Sequence, residues 1–178
     1  SITVRMLKMQ QIGHIQIDPF GDQCHCGNFG CLETMVANKA IVSQTKALLE
    51  RGHNSQLDKD KLSIDIICKA ALEDDPIATQ IIRQTGNHLG RVLAIMVNLF
   101  NPEKILLAGE IVQSAPVLFP ALLQQIQRQS LPNFNRELQL EKAHFQGQGT
   151  MGGYALIKRA LHANDLLQQI MQQIDDKQ

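Results

Sequence analysis

The stretch HIQIDPFGDQCHCGNFGCLE, residues 14–33, decides how the rest of this chain is read. Three of the four cysteines, Cys24, Cys26 and Cys31, fall within eight positions of it, and His14 stands ahead of them. Thiolates and imidazoles are the donors zinc prefers, and four of them close a tetrahedral structural site with no open position. Gly27 and Gly30 lie between the second and third cysteines, where the backbone has to curl three sulfurs around one ion. His14, Cys24, Cys26 and Cys31 are therefore the expected ligands of one structural zinc. Two readings compete, a Cys26–Cys31 disulfide or three unrelated buried thiols. An extracellular disulfide framework, however, spreads its cysteines to close longer loops. His25 competes with His14 for the fourth position, but a ring between two ligating cysteines more readily faces solvent. Cys68 falls inside a helical pattern and reads as a small buried apolar side chain.

Working outward, HIQID (14–18) alternates like a short strand leading into the cysteine loop. Helical spacing runs from Leu32 to Leu49, broken near Asn38 and stopped by Gly52, and a polar surface loop follows to Lys61. Ser63 is placed to cap a helix reaching Glu73. Asp75 followed by Pro76 starts another: aspartate caps, and proline at the first helical position loses nothing by lacking an N–H. That helix puts Ile77, Ile81, Thr85, Leu89, Val92, Leu93, Met96 and Leu99 on one face and ends at Asn101-Pro102. KILLA (104–108) reads as a fully buried strand closed by Gly109. A helix over 116–129, a strand within 137–145 and a last helix over 151–174 complete the pattern. Strands separated by helices predict an α/β layer structure.

The chain has 178 residues, of which 44% are apolar, enough for one domain with a sizeable core. Seventeen basic residues balance seventeen acidic ones, so no net field draws it to nucleic acid or anionic lipid. No apolar run approaches the ~20 residues of a membrane span, and residues 1–10 lack the apolar core of a secretory signal. The expectation is a cytoplasmic protein without a membrane partner.

Ile12-Gly13-His14, Cys24-His-Cys-Gly-Asn-Phe-Gly-Cys31, Leu32-Glu33, Asn98-Leu-Phe-Asn-Pro102 and Leu107-Ala-Gly-Glu110 resemble the signature of the ROK family of sugar kinases and sugar-responsive repressors. The likeness extends over about residues 12–163 and is strongest to the family's amino-sugar-responsive repressors. It implies an actin-like (ribonuclease H-like) lobe with a mixed sheet and a zinc-stapled loop. Residues 1–178 would be the C-terminal lobe, with residues 1–11 atypical of the family. The sugar lies between two lobes in such proteins, and the resemblance implies that His14 faces it while binding zinc and that Glu33 accepts its hydroxyls. Gln11 stands where the family usually has the glutamate of Glu-x-Gly-His, itself a sugar contact. The implied function is the effector-sensing and oligomerisation portion of a repressor of N-acetylglucosamine metabolism. Its effector would be N-acetylglucosamine 6-phosphate and its assembly a homodimer or homotetramer. DNA would be met only through a helix-turn-helix that precedes this portion.

The alternative is the C-terminal half of an ATP-dependent sugar kinase acting on a hexose or N-acetylhexosamine. Family kinases place consecutive glycines after the buried strand, where backbone N–H groups approach phosphates. Here Gly109 is followed by Glu110, whose carboxylate repels them. The family's catalytic aspartate belongs to the other lobe, so no catalytic residue and no enzyme activity are expected of this chain. Gly147-Gln-Gly149-Thr-Met-Gly152 matches a dinucleotide fingerprint, yet no later strand is predicted to complete the unit, so close helix packing is the better account. His53, His88, His144 and His162 read as surface or packing residues, and Lys158 with Arg159 as a solvated helix face.

Overall fold

The computed structural model describes the backbone of residues 3–7 and 155–159 and the full surroundings of residues 12–143. The elements in chain order are β1 (Thr3–Leu7), α1 (Glu33–Val36), α2 (Asn38–Glu50), α3 (Ile64–Leu72), α4 (Pro76–Phe100) and β2 (Lys104–Leu107). A short 3-10 turn (Glu110–Ser114) follows, then α5 (Ala115–Gln129), α6 (Pro132–Asn135), β3 (Gln139–Lys142) and β4 (Ala155–Arg159). The four strands form one mixed sheet in the order β1-β4-β2-β3, with β2 and β3 parallel and the other two pairings antiparallel.

The helix boundaries follow local chemistry. The Ser63 side chain accepts the Ile66 N–H at 3.2 Å and opens α3. The Asp75 carboxylate accepts the N–H groups of Ile77 and Ala78 and opens α4, with Pro76 in its first turn. Gly52, at φ +82°, closes α2, and Asn101, at φ +44°, closes α4. Asp74 also adopts positive φ, so the two adjacent aspartates are a helix exit and a helix cap rather than a carboxylate pair.

Asp75 is buried, which by itself favours the protonated acid. Hydrogen bonds from the N–H groups of Ala78, Gln56 and Ile77 and from the Ser55 hydroxyl outweigh that burial and hold the carboxyl below its ordinary range. A group with a depressed folded-state pKa contributes stability above its unfolded value, about 3.9, and loses it as pH falls through the folded value. Asp75→Ala should therefore cost about 2 kcal/mol at neutral pH and flatten the decline in stability between pH 5 and pH 2. Urea titrations across that range check both effects.

The core is built around α4. Ile77, Ile81, Thr85, Leu89, Val92, Leu93 and Met96 are buried as the helical period predicts, whereas Leu99 stands 67% exposed on the face it shares with Ile95. Gly86 and Gly90, one turn apart, let α5 approach the backbone of α4 directly. A Cβ at Gly86 would meet the Leu118 carbonyl oxygen at 3.1 Å, and one at Gly90 would meet the Gln125 Cβ at 2.8 Å. Asn98 fastens the far end, donating to the Gln129 carbonyl and accepting the Leu131 N–H.

Several expectations change. HIQID is not a regular strand: it pairs with residues 30–32 through one isolated bridge, Gln16 to Cys31, flanked by turns at Ile12–Ile15 and Asp18–Gly21. KILLA is not buried throughout; Ile105 and Leu107 are buried and Lys104 and Leu106 only partly, since one face of β2 alone meets the core. The strand within 137–145 shortens to Gln139–Lys142. Inside the span expected as a C-terminal helix, residues 155–159 are a strand, because their backbone pairs with β1 on one side and β2 on the other. Lys158 and Arg159 thus belong to β4 rather than to a helix face. The rest of that span, Gly147–Gly152, His144, His162 and Gln11 lie outside the described residues. No helix among the described residues is long and apolar enough to cross a membrane.

Candidate functional site

Residues 12–33 fold back on themselves so that 13–17 runs beside 30–33. The Glu33 N–H donates to the Gly13 carbonyl at 2.8 Å, Leu32 N–H to Ile15, and Ile17 N–H to Gly30. Ile12 and Leu32 are buried in the main core, which anchors both ends of the loop. Between them, the Gly27 N–H donates to the Cys24 carbonyl and the Cys24 N–H to the Asn28 carbonyl, making a tight turn that carries His25 at its tip. Gly30 sits at φ +64° with its α-carbon pressed on Asp18; a Cβ there would stand 1.4 Å from the Asp18 carbonyl oxygen. No residue but glycine fits that contact.

The loop gathers the four expected ligands. Donor atoms of His14, Cys24, Cys26 and Cys31 lie within 4.8 Å of one another. The Cys26 and Cys31 sulfurs are 3.7 Å apart, and His14 Nδ1 is 3.5 Å from Cys24 Sγ. Tetrahedral zinc, with Zn–S near 2.3 Å and Zn–N near 2.0–2.1 Å, separates two sulfurs by about 3.8 Å and a sulfur from a nitrogen by about 3.5 Å. Those two separations match that polyhedron. All three thiols are free, and 3.7 Å is well beyond the ~2.05 Å of a disulfide. His25 Nδ1 is 3.9 Å from Cys24 Sγ and its side chain is 72% exposed, so His14 is the better fourth ligand.

The thiols differ in character. Cys24 and Cys31 are buried and Cys26 is exposed. The Asn28 backbone N–H is the largest influence on Cys26 and draws its thiol below the ordinary value. Burial, then the neighbouring sulfurs, pushes Cys31 up to about 12. A metal held here must displace that proton, so binding is linked to pH.

Glu33, the first residue of α1, turns back over this cluster. Its Oε2 is buried and has no hydrogen-bond partner; His14 Nε2 stands 3.7 Å away and His25 Nδ1 3.6 Å away. The two imidazoles meet edge to face with centroids 5.0 Å apart. Spacing alone does not reveal that His25 reaches Glu33, because the contact depends on the Cys24–Gly27 turn. The arrangement presents a partly buried carboxylate oxygen flanked by two imidazole rings, while the Cys24 thiol beside His14 belongs to the candidate metal-ligand set.

Other residues singled out earlier stay apart. Cys68 is buried with its sulfur 3.9 Å from the Ile111 carbonyl, and burial raises its thiol. His53 is exposed. His88 has its Nδ1 buried without a partner, and burial, helped by Arg91, lowers its pKa against the opposing pull of Asp18. After β2, Gly109 adopts φ +120° and Glu110 opens the 3-10 turn, its carboxylate accepting from the Asn38 amide at 3.2 Å.

A profile of the ROK family matches residues 8–160. The N-acetylglucosamine repressor of Escherichia coli O6:H1 is 44% identical over 162 residues, covering 91% of this chain and 40% of that protein. The crystal structure of a ROK family transcriptional regulator, a homolog of the E. coli MLC protein, superposes with a TM-score of 0.74 at 47% identity. That match covers 79% of this chain and 36% of the other. A ROK family glucokinase from Streptomyces griseus, solved with glucose and AMPPNP, gives a TM-score of 0.63 at 24% identity over 75% of this chain and 46% of that one, a likeness of fold alone. The chain thus spans about 40% of the length of the curated N-acetylglucosamine repressors it matches.

Proposed function

This chain belongs to the ROK family, and from that membership we propose that it is the effector-sensing portion of a sugar-responsive transcriptional repressor. The observation that carries the reading is the buried Oε2 of Glu33, which has no hydrogen-bond partner although His14 and His25 stand within ion-pair distance of it. A buried acceptor left unpaired costs about 1–3 kcal/mol, more if charged, so the site is suited to a ligand that brings donors. Sugar hydroxyls are such donors, and a carboxylate accepts two of them in fixed geometry. Similarity to the N-acetylglucosamine repressor supports N-acetylglucosamine 6-phosphate as effector and amino-sugar metabolism as the regulated process. Gln11, two residues before Gly13 in the sequence, is the further contact this reading assigns.

Zinc on His14, Cys24, Cys26 and Cys31 has a structural role in this proposal. It fixes the loop and leaves His14 presenting Nε2 towards Glu33. The complete gene product would meet DNA through a helix-turn-helix elsewhere. A homo-oligomer would change the spacing of those heads as effector shifts the balance between open and closed lobes. Glu110 argues for sensing over phosphoryl transfer, since its carboxylate stands where a kinase brings backbone N–H groups to phosphates.

Glu33→Gln replaces an acceptor with a half-donor amide of nearly the same shape. Calorimetry on the complete gene product should show affinity for N-acetylglucosamine 6-phosphate reduced at least tenfold, with zinc content unchanged. Unaltered affinity would remove Glu33 from the effector site. Phosphorylation of N-acetylglucosamine by ATP in the same preparation would favour the kinase reading.

A further inference from the structure

We infer that His25 is a further effector-contacting side chain, which joins Glu33 and His14 in holding a single hydroxyl group. The inference rests on the reading of this loop as a sugar site and adds to it a residue and a ligand chemistry.

Its basis is a match of geometry and valence. Glu33 Oε2 lies 3.6 Å from His25 Nδ1 and 3.7 Å from His14 Nε2, both too long for direct hydrogen bonds. The ligating atoms of all three residues nevertheless fall within 4.8 Å of one another. A triangle of that size has a point on either side of its plane about 2.8 Å from every corner, an ordinary hydrogen-bond length for one oxygen that would enter as the exposed His25 ring gives way. An alcohol hydroxyl offers one proton and two lone pairs. The corners ask for that set. Glu33 Oε2 is a buried acceptor with no donor of its own. His14 turns Nδ1 towards Cys24, at 3.5 Å, and with Nδ1 ligating the proposed zinc the ring proton would stand on Nε2 facing Glu33. His25 in its Nδ1–H tautomer supplies the second donor. A phosphate, with no proton to spare and a negative charge, fits beside this carboxylate badly.

The placement of His25 is also cheap in entropy. Its neighbours on both sides, Cys24 and Cys26, are members of the metal-binding set, and the Gly27 N–H closes the turn on the Cys24 carbonyl at 2.9 Å. The backbone at His25 is therefore fixed before any ligand arrives. Its ring rests edge to face on His14 while most of the side chain stays open to solvent, where an incoming ligand can reach it.

The test uses the complete gene product and N-acetylglucosamine 6-phosphate in calorimetry, with zinc content measured on every sample. His25→Ala should weaken binding about tenfold, the loss of one hydrogen bond, with zinc content unchanged. His25→Phe keeps the ring contact with His14 but has no N–H, and should bind as weakly as the alanine variant. If the phenylalanine variant binds like the wild type, the ring's packing and not its N–H is what matters, and the inference fails. It fails equally if both variants bind normally while Glu33→Gln does not. Normal binding by all three variants would instead overturn the sugar-site reading itself. A zinc content of two per chain that drops to one in His25→Ala would show a second cation, not a hydroxyl, at the three atoms, and would also overturn it.

Discussion

Gly30→Ala should release the metal and lower the melting temperature by on the order of 10 °C. Alanine at this position meets two penalties at once. Its φ of +64° is one that side chains rarely adopt, and its Cβ would be driven to 1.4 Å from the Asp18 carbonyl oxygen. No rotamer change relieves a backbone collision. The 17–18 and 30–31 segments must part, although the Ile17 and Asp18 N–H groups both bond to the Gly30 carbonyl. Because Cys31 is the next residue, the ligand set is pulled apart with them. A loss of about 4 kcal/mol or more belongs to this class of backbone disruption, and 2–4 °C per kcal/mol is usual for a domain of this size. Gly27→Ala is the control. Its φ is +95°, but nothing lies within 4 Å of the added Cβ, so it should cost only about 1–2 kcal/mol of backbone strain and keep the metal. Metal analysis and thermal melts of the two variants decide the matter. Equal zinc content and equal melting temperatures would mean the Asp18–Gly30 contact is absent from the folded protein.

Removing the metal should have the second large effect. Cys31→Ser should reduce bound zinc from about one per chain to almost none and free the 18–30 stretch for proteolysis. The helical core should survive, because α4 packs on α5 along Gly86 and Gly90, in contacts to which the metal ligands contribute nothing. Ile12 and Leu32 remain buried in that core, so the loop loses its tip rather than its anchors. Structural zinc contributes about 10–16 kcal/mol of apparent binding energy in small zinc-dependent folds, and only a part of that is needed here. The sign of the pH dependence follows from the thiols. Burial pushes Cys31 up to about 12, so at any working pH the metal must displace its proton. Zinc affinity should therefore fall as pH falls, about tenfold per unit for each thiol still protonated in the free protein. Chelator-driven release should be faster at pH 6 than at pH 8. A zinc-free preparation that is folded, protease-resistant and as heat-stable as the wild type would refute the metal account.

What the sequence by itself determined were the features whose physics is local. Helix caps act within three residues, so Ser63 and Asp75-Pro76 announced the starts of α3 and α4 correctly. The gathering of the cysteine loop is local too: His14, Cys24, Cys26 and Cys31 are close in sequence, and the fold brings their donor atoms within 4.8 Å of one another. Helical period likewise picked out the buried face of α4, down to Met96.

The tertiary structure decided whatever depends on partners distant in the chain. Residues 155–159 carry a pattern compatible with a helix and are a strand because β1 and β2, far away in sequence, satisfy their backbone on both sides. HIQID alternates like a strand and is not one, because its pairing with residues 30–33 amounts to a single isolated bridge, Gln16 to Cys31, before the chain turns away at both ends. Gly86 and Gly90 look like flaws in a helix until α5 lies across them. At the candidate site, spacing names His14 and the cysteines, but only the folded turn brings His25 to the unpaired oxygen of Glu33. The dividing line is physical. Caps, periods and chelating spacings are stabilised by bonds a few residues long, whereas strand pairing, helix-to-helix approach and the partnering of a buried carboxylate are settled by whichever distant groups the collapsed chain brings within reach.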